Sequence, residues 1–232
     1  MEDEINIEIG HLYSDPVQLE IDEIFSLFTY KIVYDNWQDH SIPRENRRGY
    51  NIGSILVNPQ NEPVHYALNS VGITQNSTQH AEVRLMTQYL DSSDFFDLHN
   101  FTIYTTLEPC AMCAGMMAMT RVKRTVYGQN DIEFSHALER LAFDSKSIGG
   151  YAPFPREVIS SPSPSNIRQE LNKAFQEFLS IDSEKILAKF LSNDQAKTIF
   201  KNASQLFENF QVKFIQNRKI FLFLEELIKK YN

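Results

Sequence analysis

The sequence predicts an α/β fold in which helices alternate with strands, followed by a helical extension at the carboxy-terminal end. Short β-rich runs separated by segments of helical period predict the α/β part. The stretch "SSPSPS" at 160–165 favours turns, and every longer apolar pattern beyond it has helical period. We therefore expect a hinge at 160–165 between two domains, residues 1–160 and residues 161–232.

The α/β part is predicted from apolar spacing and from turn residues. Ile24, Phe25 and Phe28 give the first helix an apolar face, and Pro59 and Asn61 favour a turn between two β-rich runs. Pro109 suits the first turn of a later helix. In chain order, the predicted elements are a helix within 17–39, a hairpin with strands at 50–58 and 63–69, a helix at 80–90, a strand at 101–107, a helix at 110–121, a strand at 124–128, a helix near 132–146 and a strand at 156–160.

The extension is predicted to be helical because its phenylalanines recur at helical spacing. We interpret these aromatic residues as the extension's own core and its docking face rather than as platforms for stacked bases. The surface of the extension is also a candidate binding site for a protein partner. The predicted helices lie within residues 166–179, 183–191, 195–210 and 218–231.

Composition limits the classes of protein that fit. The chain has 232 residues and a net charge of −8, and its only two cysteines lie three residues apart, so a disulfide framework is excluded. The amino-terminal sequence is acidic, without the cationic start of a secretory signal, and no apolar run approaches the roughly 20 residues that span a bilayer. We therefore expect a cytoplasmic protein without a membrane partner.

Charge is distributed unevenly along the chain. Residues 1–49 carry 4 basic and 11 acidic side chains, a net of −7, whereas residues 165–232 carry 11 basic and 8 acidic side chains, a net of +3. A protein that binds nucleic acid usually presents a basic face to the phosphates. Such a face is modest in this sequence.

The pattern Cys110-Ala-Met-Cys113 has three interpretations: a redox pair, two zinc ligands, or two core residues. Two thiolates at positions i and i+3 of a first helical turn point the same way and are stabilised by the helix dipole. His80 begins another predicted helix and could supply a third ligand. Three protein ligands would leave the fourth position to water, as in catalytic zinc sites.

Glu82 lies two residues after His80 and could reach a water on such a metal. A glutamate in that place can accept a proton from the water and pass it to a substrate. The alternative interpretation of Glu82 is a carboxylate that stabilises the helix start through the dipole.

These motifs resemble those of a known family. "HAE" at 80–82 and "PCAMC" at 109–113 match the H-x-E and P-C-x-x-C signature of the zinc-dependent nucleobase deaminases. "TLEPCAMCAGMM" and "TRVKRTVYGQND" resemble segments of the tRNA adenosine deaminases, and the resemblance covers roughly residues 17–135. It implies a three-layer α/β/α cytidine-deaminase-like fold with a mixed central sheet. The chain departs from that family in its polar loop "SVGITQNSTQ" and in its long extension.

The resemblance also implies the cofactor and the site residues. Zn²⁺ would be held by His80, Cys110 and Cys113, and Glu82 would carry protons between water and base. It further implies three residues that contact the substrate: Asn69, Thr106 (through the main-chain carbonyls near it) and Asp131.

The function implied by the resemblance is hydrolytic deamination of a nucleobase, with adenosine in RNA such as tRNA, converted to inosine, as the first hypothesis. The acidic charge balance favours an alternative, a deaminase of free guanine, cytosine, adenine or their nucleosides. A third hypothesis, of another class, is a non-catalytic zinc-stabilised partner subunit or an effector or toxin module. The resemblance also implies a homodimer, unless the extension covers that surface.

Overall fold

A computed structural model describes residues 15–142, 144, 146–149 and 158–231. Its centre is a mixed five-stranded sheet with the strand order β2-β1-β3-β4-β5. β1 is antiparallel to both β2 and β3, whereas β3, β4 and β5 are parallel to one another. The predicted hairpin is confirmed as the β1–β2 pair. The strands are β1 (Gly53–Val57), β2 (Pro63–Leu68), β3 (Thr102–Leu107), β4 (Arg124–Gln129) and β5 (Ile159–Pro162).

Helices cover both faces of the sheet. The helices are α1 (Pro16–Asp35), α2 (Ala81–Ser92), α3 (Ala111–Met119), α4 (Ala137–Leu141), α5 (Asn166–Ile181), α6 (Leu187–Phe190), α7 (Asp194–Glu208) and α8 (Arg218–Tyr231). Helices α2, α3 and α4 share one apolar cluster with the sheet, and α1 shares a second cluster with α5, α7 and α8. The structure therefore confirms a three-layer α/β/α fold with a mixed sheet and a helical extension. In the described part of the chain, no helix is both long and apolar enough to cross a membrane.

The prediction of a helix near 132–146 is wrong over most of its length, since Ala137–Leu141 is the only α-helical part among the described residues of this range. Asp131 Oδ1 accepts hydrogen bonds from the backbone N–H groups of Glu133 and Phe134, which forms a turn. His136 has a φ of 58°, in the left-handed region. These contacts and this backbone conformation delay the helix until residue 137.

The hinge predicted at 160–165 is also wrong. Residues 160–162 belong to β5, which pairs with β4 at the edge of the sheet, where a proline such as Pro162 is tolerated. Ser165 caps α5 by accepting a hydrogen bond from the N–H of Ile167. Residues 156 and 157 of the predicted strand lie outside the described residues. The domain limits of 1–160 and 161–232 stay a prediction.

The extension packs against α1 through aromatic residues. The ring of Phe207 lies 5.2 Å from that of Phe28, and the ring of Phe200 lies 5.2 Å from that of Tyr30. Phe200 is 1% exposed. This contact confirms, for Phe200 and Phe207, the prediction that the aromatic residues of the extension form core and docking contacts.

A buried carboxylate also connects α1 to the extension. Glu20 accepts hydrogen bonds from the backbone N–H groups of Lys213 and Phe214 and from the side-chain amide of Asn217. Each of these bonds spans more than 190 residues of sequence. The extension is therefore held on the α1 side of the sheet by polar as well as apolar contacts.

Candidate metal centre and substrate cavity

The predicted metal ligands lie at two helix starts. His80 is the N-cap residue of α2 and Cys110 is the N-cap residue of α3. Cys113 lies one turn into α3 and is fully buried. The positive ends of two helix dipoles therefore point at the place where the thiols meet, and this field stabilises thiolates.

The distances between the three side chains fit a zinc ion. The sulfurs of Cys110 and Cys113 lie 3.7 Å apart, and each lies 3.6 Å from Nδ1 of His80. Tetrahedral zinc, with Zn–S of about 2.3 Å and Zn–N of about 2.0–2.1 Å, requires about 3.8 Å between two sulfurs and about 3.6 Å between sulfur and nitrogen. The spacing of the three side chains therefore fits a zinc site. A redox pair, or two cysteines of the core, would not require a histidine beside the sulfurs.

Local interactions favour a deprotonated sulfur. Hydrogen bonding with Cys113 and with His80 lowers the pKa of the Cys110 thiol to about 4, whereas the bond to Cys110 and burial raise the pKa of the Cys113 thiol. The same contact with Cys110 raises the pKa of His80. A thiolate beside an imidazole is the donor set that zinc prefers in proteins.

Glu82 lies beside the three ligands. It is in the first turn of α2 and 3% exposed, and its Oε2 lies 3.5 Å from the sulfur of Cys113. The hydroxyl of Thr105 donates a hydrogen bond of 2.9 Å to the other oxygen, Oε1. Burial raises the pKa of this carboxyl group. The carboxylate is therefore fixed in orientation, with one oxygen directed to the metal centre.

A cavity of about 640 Å³ opens above this centre. Its size is within the range of about 300–1,000 Å³ that is usual for small-molecule sites. Five of the predicted site residues line it: Asn69, His80, Glu82, Cys110 and Asp131. Cys113 lies behind Cys110, buried in the core.

Asn69 is held at the edge of the cavity by its side-chain oxygen. Its Oδ1 accepts hydrogen bonds from the backbone N–H groups of Tyr50 and Val71. A side chain on Gly49 would collide with this amide, because its Cβ would lie 2.2 Å from Oδ1. The amide oxygen is therefore engaged by the loop, which leaves the nitrogen of Asn69 as the group to donate to a ligand.

Asp131 is positioned by Glu108. The two carboxylate oxygens of Glu108 accept hydrogen bonds from the backbone N–H groups of Asp131 and His136, at 3.2 and 2.9 Å. Glu108 thus connects the end of β3 to the loop that carries Asp131. These bonds are those of a residue that holds a loop.

The structure does not bring the side chain of Thr106 to the cavity. Its hydroxyl accepts a hydrogen bond from the N–H of Gly53 on the neighbouring strand, and the residue is 3% exposed. Leu107 and Glu108, the next residues along β3, line the cavity.

Several residues of the cavity were not predicted from the sequence. Tyr50, Ile132 and Phe134 line it and are 44–53% exposed. A further group comes from the extension: Phe175, Glu184, Lys185, Ile186, Leu187, Ala188 and Leu191. The sequence contains no short-range signal for these contacts, since they depend on how the extension folds back over the sheet.

The chain was compared with known proteins. Residues 38–129 match the family model described as the cytidine and deoxycytidylate deaminase zinc-binding region. The tRNA-specific adenosine deaminase of Rickettsia felis is 30% identical over 103 residues, which are 44% of this chain and 72% of that protein. The chain belongs to the zinc-binding deaminase family. As a zinc-binding deaminase it is a hydrolytic enzyme with zinc as its cofactor, so the hypothesis of a non-catalytic subunit is not retained.

Other zinc-binding deaminases are similar to the chain over comparable lengths. The tRNA-specific adenosine deaminase of Haemophilus influenzae is 29% identical and covers 61% of this chain and 81% of its own length. A solved structure from a study of A-to-I editing by tRNA:A34 deaminases is 26% identical, covers 48% of this chain and 82% of its own, and has a TM-score of 0.37. The span of the family model includes the zinc ligands, Glu82 and Asn69, whereas Asp131 and the extension lie beyond it.

Proposed function

We propose that this deaminase converts adenosine to inosine within RNA, such as tRNA. The observation that carries the proposal is the buried carboxylate of Glu82, which lies 3.5 Å from the sulfur of Cys113 at the floor of the cavity. The choice of adenosine in RNA is supported by the relatives, which bear the name tRNA-specific adenosine deaminase.

His80, Cys110 and Cys113 would hold the zinc ion, which when bound supplies Lewis-acid activation of water. Glu82 accepts a proton from a water molecule while the water oxygen bonds to the amino-bearing carbon of the base, and it delivers this proton to the adjacent ring nitrogen. The same carboxylate transfers the second proton of the water to the amino group. The carbon–nitrogen bond then breaks, ammonia leaves, and the oxygen of the water remains as the carbonyl. Thr105 holds Oε1 during these transfers, so that Oε2 faces the reacting atoms.

Substrate orientation is assigned to two polar residues that line the cavity. The side-chain nitrogen of Asn69 donates to an acceptor on the base or its sugar. One oxygen of Asp131 is engaged by its own loop, which leaves the other to accept from a sugar hydroxyl. Leu107 and Glu108 line the cavity, so the main-chain carbonyls near Thr106, which the resemblance implies as a contact, would face the amino group of the base.

One observation favours a second candidate function, the deamination of a free base or nucleoside. Acidic residues line the catalytic cavity, among them Asp131, Glu133 and Glu184, and the chain as a whole has a net charge of −8. Carboxylates repel phosphate groups, whereas an uncharged base or nucleoside meets no such repulsion.

We place this activity in the cytoplasm, because Cys110 and Cys113 must stay reduced to bind a metal. The homodimer and the protein partner on the extension both stay predictions.

Ammonia release and product mass test the proposed function. Zinc-analysed protein is incubated with adenosine, guanine, cytidine and a stem-loop RNA that carries adenosine in its loop, beside the variants Glu82→Gln and Glu139→Gln. We expect turnover of the RNA and a loss of about 10²–10⁴-fold in Glu82→Gln with bound zinc unchanged. Glu139 is exposed on α4 and serves as the matched control, with turnover expected to remain at the wild-type level.

The outcomes separate the candidates. Turnover of a free base or nucleoside without turnover of RNA would support the second candidate and refute RNA as the substrate. Full activity of Glu82→Gln would exclude the proposed proton transfers.

A further inference from the structure

A second cavity adjoins the catalytic one. It has a volume of about 830 Å³. Four residues line both cavities: Tyr50, Glu184, Ile186 and Ala188. The boundary between the two spaces therefore consists of one residue from the loop before β1 and three residues from the extension.

Hydrogen bonds and aromatic packing hold the part of the extension that follows the boundary residues. The side-chain amide of Asn51 donates hydrogen bonds of 2.8 Å to the carbonyl of Gln38 and 2.9 Å to the carbonyl of Leu191. Phe190 is fully buried, with its ring 5.1 Å from that of Phe175. The end of the extension segment 184–191 is thus fixed to the body of the enzyme, beside the cavities.

Two large side chains of the boundary are apolar and partly exposed. Tyr50 is 44% exposed and Ile186 is 49% exposed, although large apolar side chains are usually buried. An aromatic ring and an aliphatic side chain form a surface suited to the flat face of a base, and stacking of this kind accepts any base.

Charge differs between the two cavities. Asp131, Glu133 and Lys185 line only the catalytic cavity, whereas Arg47 and Lys189 line only the second one. Arg47 donates hydrogen bonds to the carbonyls of His40 and Ile42, and Lys189 pairs with Glu184 at 3.4 Å. The second cavity also contains Glu45, and Lys189 forms an ion pair of 2.7 Å with Asp182. A phosphate attached to the reacting nucleoside therefore meets less repulsion on the side of the second cavity.

We infer that the second cavity binds the nucleotide next to the reacting one, and that Tyr50 and Ile186 are specificity-determining residues for a polynucleotide substrate. This inference rests on the proposed function, RNA deamination. Single-stranded RNA can splay neighbouring bases apart, so that each base occupies its own cavity on either side of the boundary. A free base or nucleoside would occupy the catalytic cavity alone and would make no use of the second.

The test compares kcat/KM for adenosine with kcat/KM for a trinucleotide that has adenosine in its centre. Because both side chains also line the catalytic cavity, Ile186→Ala and Tyr50→Ala are each expected to lower the value for the trinucleotide by at least about tenfold more than the value for adenosine. Tyr50→Phe keeps the ring and is expected to retain activity on the trinucleotide.

The matched control is Ile181→Ala. Ile181 lies on the same extension, is 85% exposed and lines neither cavity. Its kcat/KM for both substrates is expected to equal that of the wild type. Thermal unfolding and zinc content of every variant verify that the fold and the metal centre are intact.

The inference and the proposed function fail in different ways. If the wild type deaminates the trinucleotide but Ile186→Ala and Tyr50→Ala lose equal activity on both substrates, or none on either, the inference is overturned and the proposed function stands. If the wild type deaminates adenosine but neither the trinucleotide nor a stem-loop RNA, RNA is not the substrate, and the proposed function fails before the variants are considered.

Discussion

The metal centre and the extension line the same cavity, but local structure positions the first and long-range contacts position the second. The three ligands lie within residues 80–113 and are positioned by local structure, with two at helix N-caps and one a single turn further on. The extension reaches the cavity only through distant contacts, such as the bond from Asn51 to Leu191 across 140 residues. Short-range sequence thus determines where the chemistry takes place, and long-range packing determines the space that a substrate can occupy.

The largest expected effect concerns the metal centre, which is positioned by local structure. In Cys113→Ser the thiolate is replaced by a hydroxyl, which stays protonated and binds zinc poorly. We expect bound zinc to fall from about one per chain to almost none, with complete loss of turnover. Metal analysis and ammonia release measure both, and Glu82→Gln is the control that loses turnover but keeps zinc. Zinc retained at the wild-type level in Cys113→Ser would contradict the assigned ligand set.

The next effect concerns the packing of the extension. Phe200→Ala removes a ring that lies 5.2 Å from Tyr30 and 5.3 Å from Trp37, and we expect the free energy of unfolding to fall by about 3–5 kcal/mol. Urea unfolding can be followed by fluorescence, because Trp37 is the single tryptophan of the chain, and by circular dichroism. Both signals should change together, since one apolar cluster contains α1 and the extension.

Leu206→Ala is the control for Phe200→Ala, because Leu206 lies on the same helix and is 52% exposed. Its effect on stability is expected to stay within about 0.5 kcal/mol. Two separate unfolding transitions in the wild type would instead indicate an extension that folds independently, as the predicted limit between residues 160 and 161 implies.

The smallest effect concerns a connection between the two regions. Asn130 Oδ1 accepts hydrogen bonds of 2.7 Å from both Arg168 and Asn172 of α5, directly before Asp131. In Asn130→Ala the loop that carries Asp131 loses this support, and we expect kcat/KM to fall by about tenfold, because small displacements of positioning groups are costly, with zinc content unchanged. Asn202→Ala, exposed on α7, is the control. Undiminished activity in Asn130→Ala would show that α5 does not position Asp131.

Much of the fold could be predicted because apolar period and turn residues are local signals. The β1–β2 hairpin, the two ligand-bearing helices and the helices of the extension follow from such signals. The helix expected near 132–146 failed because Asp131 and Glu108 bind backbone N–H groups of that loop. These bonds depend on tertiary position and leave no periodic pattern.

The candidate site shows the same division. His80, Glu82, Cys110 and Cys113 were predicted from two short motifs, and the structure brings all four together. Tyr50 and Ile186 belong to no motif, and their importance appears only when the extension is seen folded over the sheet. Thr106 was implied by the resemblance through the main-chain carbonyls near it, and this role stays a prediction; its side chain is directed away from the cavity by strand alternation and accepts a hydrogen bond from Gly53.

The contact between Asn51 and Leu191 limits when the boundary between the cavities can form during synthesis on the ribosome. The ligands are complete once residue 113 has emerged, whereas the boundary between the cavities requires a further 78 residues, up to Leu191. Contacts of such long range form late in folding. All three ligands of a nascent chain therefore leave the ribosome well before the residues that form the boundary between the cavities.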